Sequence, residues 1–155
     1  MGTEIERKFL LKNDSWREGV VGIEICQGYA QLPNGVFRVR IYGEKAFLTV
    51  KGKLEGLSRA EFEYEIPVED ARGMLETVCE KPYIQKRRFL VEFDQKTWEI
   101  DEFFGENDGL LLAELELDSE NENVNLPDWA GAEVTDDFRY YNSNLVKNPY
   151  CNWKE

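Results

Sequence analysis

The chain has 155 residues, 42% of them hydrophobic and 32% charged, so it reads as one globular domain over residues 1–155 with mass enough for a core. A formal net charge of -12 argues against nucleic acid or an anionic membrane as partner, and the absence of histidine excludes Ser-His and Cys-His triads and any histidine-held metal. Cys26, Cys79 and Cys151 have no zinc-site spacing, and no stretch approaches the ~18 apolar residues of a span; both features lead us to expect a cytoplasmic protein with reduced thiols.

In chain order, alternation predicts strands over Thr3–Leu11, Ile23–Gln31, Gly35–Tyr42, Ala46–Lys53 and Ser58–Ile66. A helix is predicted from Val68 to Glu80, after Pro67, with Ala71, Leu75 and Val78 at helical spacing. Strands then resume over Ile84–Phe93, Thr97–Phe103 and Leu110–Leu117. Ser119–Ala130 is polar and reads as loop, and a second helix is predicted over Asp136–Lys147, stopped by Asn148-Pro149. The expected fold class is mainly β (α+β): eight antiparallel strands in a closed or nearly closed barrel, with a few flanking helices.

What sets these strands apart is their second face. Glu4, Glu6 and Lys8 share one parity, as do Arg38 and Arg40, Lys51 and Lys53, Arg59, Glu61, Glu63 and Glu65, Glu99 and Asp101, and Glu114 and Glu116. On a single strand such a face is ordinarily solvated. Acids and bases segregated strand by strand instead suggest a charged lumen, with the apolar faces turned outward against helices or a second subunit. Two helices are too little cover for eight strands, which predicts a homodimer. Oxygen donors without histidine suit Mg²⁺, Mn²⁺ or Ca²⁺ rather than zinc.

Glu4-Ile5-Glu6-Arg7-Lys8 resembles the Glu-x-Glu-x-Lys opening of the CYTH superfamily, the triphosphate tunnel metalloenzymes. Supporting matches follow in order: Gln27-Gly28-Tyr29, Arg38-Val39-Arg40, Val50-Lys51-Gly52, Arg59-Ala60-Glu61-Phe62-Glu63, Lys86-Arg87-Arg88, Glu99-Ile100-Asp101, Glu114-Leu115-Glu116, and Glu133-Val134-Thr135 leading to Arg139-Tyr140-Tyr141-Asn142. The chain looks like the short bacterial single-domain inorganic triphosphatases, departing at Asp136 where a glycine is expected.

The resemblance implies an eight-stranded antiparallel tunnel that hydrolyses a triphosphate with one or two Mg²⁺ or Mn²⁺ ions. Glu4, Glu6 and Glu116 are the expected principal metal ligands, and Glu61, Glu63 and Glu114 would complete that site or hold a second ion. Asp101 is a further acidic candidate. Lys8, Arg38, Arg40, Lys51, Lys86 and Arg88 would grip phosphate oxygens, with Tyr29 nearby; Lys53, Arg59, Glu65 and Glu99 stay open. The expected substrate is inorganic tripolyphosphate. Hydrolysis of a nucleoside or thiamine triphosphate, cyclisation of ATP as in class IV-type adenylate cyclases, and a non-catalytic anion-binding barrel are the alternatives.

Overall fold

The computed structural model describes residues 2–153. Its strands are β1 (Gly2–Leu11), β2 (Ile23–Leu32), β3 (Gly35–Tyr42), β4 (Lys45–Gly52), β5 (Ser58–Ile66), β6 (Ile84–Phe93), β7 (Lys96–Phe103), β8 (Leu111–Glu116) and β9 (Ala130–Glu133), with helices α1 (Val68–Thr77) and α2 (Asn142–Lys147). All pairings are antiparallel. The order β5-β4-β3-β2-β6-β7-β8-β1 returns to its start where β1 pairs with β5, so eight strands form a ring.

Tight turns set the registers. Gly43 at φ +61 serves the β3–β4 hairpin, and Asp94 and Gln95, both at positive φ, match the type I′ geometry whose twist suits adjoining strands.

β1 is shared unequally. One edge pairs with β8 over Glu6–Phe9, while the other pairs with β5 over Gly2–Ile5 and then with β9 from Phe9 onward. Phe9 therefore has Ala113 on one side and Glu133 on the other. The sequence reading missed β9: Ala130-Gly131-Ala132-Glu133 has neither alternation nor β-branched residues, and its pairing comes from the open edge of β1.

α1 ends at Thr77, earlier than predicted, because the chain turns to give the Glu80 amide to the Tyr29 carbonyl at 2.7 Å. It seats closely on β2 because Gly28 has no side chain: a Cβ there would lie 2.8 Å from Leu75 and 2.9 Å from Cys79. α2 is likewise shorter than predicted. Residues 138–140 form a 3₁₀ turn first, with Asp137 accepting from the Arg139 amide.

The chain covers most of its own outward faces. Trp16 and Trp129 pack over Phe9, Phe89, Trp98, Ile100 and Leu115 from β1, β6, β7 and β8, while α1 covers Val39 and Ala46. The premise behind the predicted dimer, that two helices leave these faces bare, overlooked the tryptophan-bearing loops. Phe62 and Tyr64 on β5 remain exposed.

The lumen itself is divided. At one end Ile84, Phe103 and Leu112 point inward and pack with Leu145 and Val146 of α2 and with Tyr140. The ring is thus a cup, with an apolar floor under a charged cavity.

Candidate functional site

The cavity has a volume of about 210 Å³ and is lined almost wholly by charged and polar groups. Going round the ring, the contiguous strands β7, β8, β1 and β5 bring Glu99, Glu114, Glu116, Glu4, Glu6, Glu61 and Glu63. The facing strands β4, β3, β2 and β6 bring Lys51, Arg38, Arg40, Tyr29, Lys86 and Arg88. Lys8 and Arg59 are the cations on the acidic arc. Thus one wall is acidic and the opposite wall basic.

Two like-charged pairs stand directly across neighbouring strands, Glu6 with Glu116 and Glu99 with Glu114. Directly opposed like charges destabilise a sheet, by up to about 1 kcal/mol per pair. Crowding across the wider acidic arc shows in the carboxyl acidities. Burial, then repulsion from Glu114, pushes Glu6 up to about 8 despite nearby Lys8. Burial and the charges of Glu4, Glu61 and Glu99 raise Glu116, and burial followed by Glu4 raises Glu61.

Lysines partly compensate this charge. Lys8 Nζ lies 3.0 Å from Glu114 and 3.3 Å from Glu6, and these acids hold its ammonium strongly protonated against burial. Burial raises Glu4, but Lys51 at 2.8 Å outweighs this and leaves it below the ordinary range. Burial likewise opposes ionisation of Glu114, yet Lys8, Arg88 and Lys86 hold it well below that range. Among the described residues no three acids converge as a ready metal cluster, since Lys8 and Lys51 stand between them.

The residues fit a hard divalent cation nonetheless. The acidic arc offers carboxylate oxygens alone, and its crowding leaves a charge excess that a cation would neutralise.

The basic wall is arranged for an anion. Arg40 has no acidic partner among the described residues; burial, then Arg38 and Arg88, pushes its guanidinium down to about 10. Its Nε donates to Gln27 Oε1 at 2.5 Å. Arg38 donates through Nη2 to Thr49 and Glu63, both at 3.2 Å, while its buried Nε has no partner. Thr49 Oγ1 also donates to Glu63 at 2.8 Å.

Asp101 is placed differently from its sequence assignment. It is fully buried, off the cavity lining, and its two oxygens accept from Arg88 Nε at 2.8 Å, Arg88 Nη2 at 2.9 Å and Lys86 Nζ at 2.7 Å. Burial works against its ionisation, but Arg88 and Lys86 hold its carboxyl down to about 2. With its acceptors filled by side chains, it anchors the basic wall and leaves the metal-ligand set. Burial pushes Lys86 down to about 7 against the pull of Asp101, with Arg88 and Arg40 adding to the push.

Of the residues left open, Arg59 and Glu99 line the cavity, whereas Lys53 and Glu65 lie outside it. Arg87 pairs outside with Glu24. The sequence reading assigned no role to Gln27, Tyr141, Asn142 or Ser143, all at or beside the cavity. Gln27 was visible as a polar residue on the lumen parity of β2. Tyr141, Asn142 and Ser143 lie at the start of α2, where a strand's parity says nothing.

Comparison with known proteins agrees with this architecture. The CYTH domain matches residues 2–148. A protein of Acetivibrio thermocellus named inorganic triphosphatase is 52% identical over the full length of both chains. Another of that name from Nitrosomonas europaea is 36% identical, with 93% of this chain and 97% of that protein aligned. A crystal structure described as an inorganic triphosphatase superposes with a TM-score of 0.67 at 32% identity, covering 94% of this chain and 95% of the other. The ring of eight strands, the opposed acidic and basic arcs and these matches lead to one assignment: the chain belongs to the CYTH domain family.

Proposed function

We propose that this protein is a divalent-metal-dependent triphosphatase that hydrolyses inorganic tripolyphosphate to pyrophosphate and phosphate within the cup. The observation that carries the reading is the opposition of an acidic and a basic arc across one cavity. The names of the two relatives support the same substrate.

Glu4, Glu6 and Glu116 are assigned the principal metal, with Glu61, Glu63 and Glu114 completing its surroundings. A bound divalent cation, Mg²⁺ or Mn²⁺, would neutralise phosphate oxygens and acidify a water. Arg38, Arg40, Lys51, Lys86 and Arg88 receive the chain of phosphates, and Lys8 reaches them from the acidic side. In hydrolysis a water oxygen bonds to the terminal phosphorus, the bridging P–O bond breaks, and pyrophosphate leaves with the bridging oxygen. The arginines and lysines stabilise the charge that gathers on the non-bridging and leaving oxygens, with donors fixed before the reaction begins. Glu61 and Glu63, on the strand beside β1, are the carboxylates assigned to orient the water or take its proton.

A small, fully charged substrate suits the space. The cavity's 210 Å³ falls below the ~300–1,000 Å³ usual for organic ligands. Among the described residues its aromatic lining is limited to Tyr29 and Tyr141. Phosphate release should be measured from tripolyphosphate, ATP, GTP, thiamine triphosphate and pyrophosphate with Mg²⁺ or Mn²⁺. Tripolyphosphate should give the highest kcat/KM. Equal efficiency on ATP, or cyclic AMP as main product, would refute the assignment. The proposal extends to a cytoplasmic homodimer, with Phe62 and Tyr64 at the subunit contact; a monomer by light scattering at micromolar concentration would exclude that assembly.

A further inference from the structure

Asn142, the first residue of α2, comes from outside the barrel and meets the cavity where its charged part ends and the apolar floor begins. Its Oδ1 accepts from Lys86 Nζ at 2.8 Å and from Gln27 Nε2 at 3.1 Å. These bonds settle which way the amide faces. Lys86 Nζ donates to this oxygen, and the orientation is fixed from the other side by Gln27. Gln27 is fixed independently: its Oε1 is held by Arg40 Nε, so its Nε2 faces Asn142 and the Tyr29 hydroxyl, the latter at 2.6 Å.

With the oxygen so placed, the Asn142 Nδ2 group must point the other way. It donates to nothing among the described residues, yet it is not one of the sealed, unpartnered atoms, which are Trp16 Nε1, Arg38 Nε and Trp98 Nε1. This buried residue keeps 9% of its surface accessible and is one of the residues that line the cavity. Two N–H donors with no partner among the described residues therefore sit on a cavity-lining side chain beside Lys86.

We propose that Asn142 is a substrate-binding residue, its Nδ2 donating to an oxygen of the phosphate lodged deepest in the cup, while its Oδ1 holds Lys86 and Gln27 in place. This rests on the triphosphatase reading and adds to it a contact that the barrel strands do not supply. Its chemistry suits a phosphoryl oxygen, since a neutral amide donor contacts an anion without adding to the repulsion among Arg38, Arg40 and Arg88.

Two variants separate the roles. Asn142→Asp keeps an acceptor for Lys86 and Gln27 but loses the donor, whereas Asn142→Ala loses both. With Mg²⁺ and tripolyphosphate, the Asp variant should melt at or above the wild-type temperature and show a KM raised about tenfold or more. The Ala variant should lose kcat as well, because Lys86 and Gln27 lose their shared acceptor. In crystals of the wild-type protein with Mg²⁺ and tripolyphosphate, Nδ2 should lie within about 3.2 Å of a phosphate oxygen. An Asp variant with wild-type KM, or an Nδ2 with no phosphate oxygen in reach, would overturn the proposal even if the wild type is active. A wild type that fails to cut tripolyphosphate overturns the triphosphatase reading instead, and the variants are then compared by calorimetric affinity for tripolyphosphate, with an unchanged affinity in Asn142→Asp counting against the contact.

Discussion

Glu6 and Glu116 face each other directly across the β1–β8 ladder, a register at which a sheet ordinarily avoids two acids. The pairing lies on the acidic side of the cup, where Glu114 and Glu4 also crowd Glu6, and that crowding has consequences for stability that can be measured without any substrate.

The first consequence concerns pH. Glu6 binds its proton more tightly in the folded state, up to about 8, than in an unfolded chain near 4.5. Between those values the folded state holds more protons than the unfolded one, so this group's contribution is full below about 4.5 and is lost as pH rises to about 8. Glu6→Gln should remove that slope. In chelator, the stability of the variant relative to wild type should grow from pH 5 to pH 8; taking the difference cancels the opposite contribution of Lys86. A constant difference would show that Glu6 is ionised throughout. The same variant should lose nearly all metal-dependent activity while staying folded.

Metal binding should release protons. A cation held by Glu6 favours the carboxylate, so near pH 7 binding should expel up to about one proton from the acidic arc. Titrating Mg²⁺ or Mn²⁺ calorimetrically in two buffers of different ionisation enthalpy reads this directly. Identical heats in both buffers would contradict it.

The two arcs should fail in different ways. Arg40→Met removes a charge-assisted phosphate contact, so kcat/KM for tripolyphosphate should fall by about 1.5–3 kcal/mol. Stability should change little, as the lost bond to Gln27 is offset by relief of the repulsion from Arg38 and Arg88. Glu116→Ala should instead shift the metal concentration needed for half-maximal rate. Matching metal-titration profiles for the two variants would undo the division of labour.

Asp101 should behave as a structural anchor. Asp101→Asn leaves Arg88 and Lys86 buried without their shared counter-charge, a change that costs about 3–5 kcal/mol where a buried pair is broken. Urea unfolding measures this. The metal affinity of the folded variant should stay near wild type; a tenfold weaker affinity with unchanged stability would return Asp101 to the metal site.

Much of this site was legible because a strand writes its two faces in alternating letters. That is why Glu4, Glu6, Arg38, Arg40, Lys51, Glu114 and Glu116 could be named together before the ring was seen to gather them round one cavity. Parity reports the face but not the depth. Asp101 shares a face with Glu99, yet two residues further along β7 the wall is filled by Lys86 and Arg88. Ile84 and Leu112 share the lumen parity of Lys86 and Glu114 and form the floor instead, which the charges alone did not reveal. Asn142 was visible only as part of the Arg139-Tyr140-Tyr141-Asn142 match, without a role, because its place depends on where a short helix packs and strand parity does not encode that.

The divided edge of β1 ties together segments far apart in sequence, as the bond between Lys8 and Thr135, 127 positions apart, also does. β1 finds neighbours in β5 and β8, but its Phe9 end stays half-paired until Ala130–Glu133 has been made. The Lys8 amide is then bonded by the Thr135 hydroxyl oxygen, and its carbonyl by the Val134 amide. Contacts so far apart in sequence make the last step of folding a long-range one. A nascent chain can shape most of the wall as it emerges, but β1 gains its last strand partner only once Ala130–Glu133 has been made.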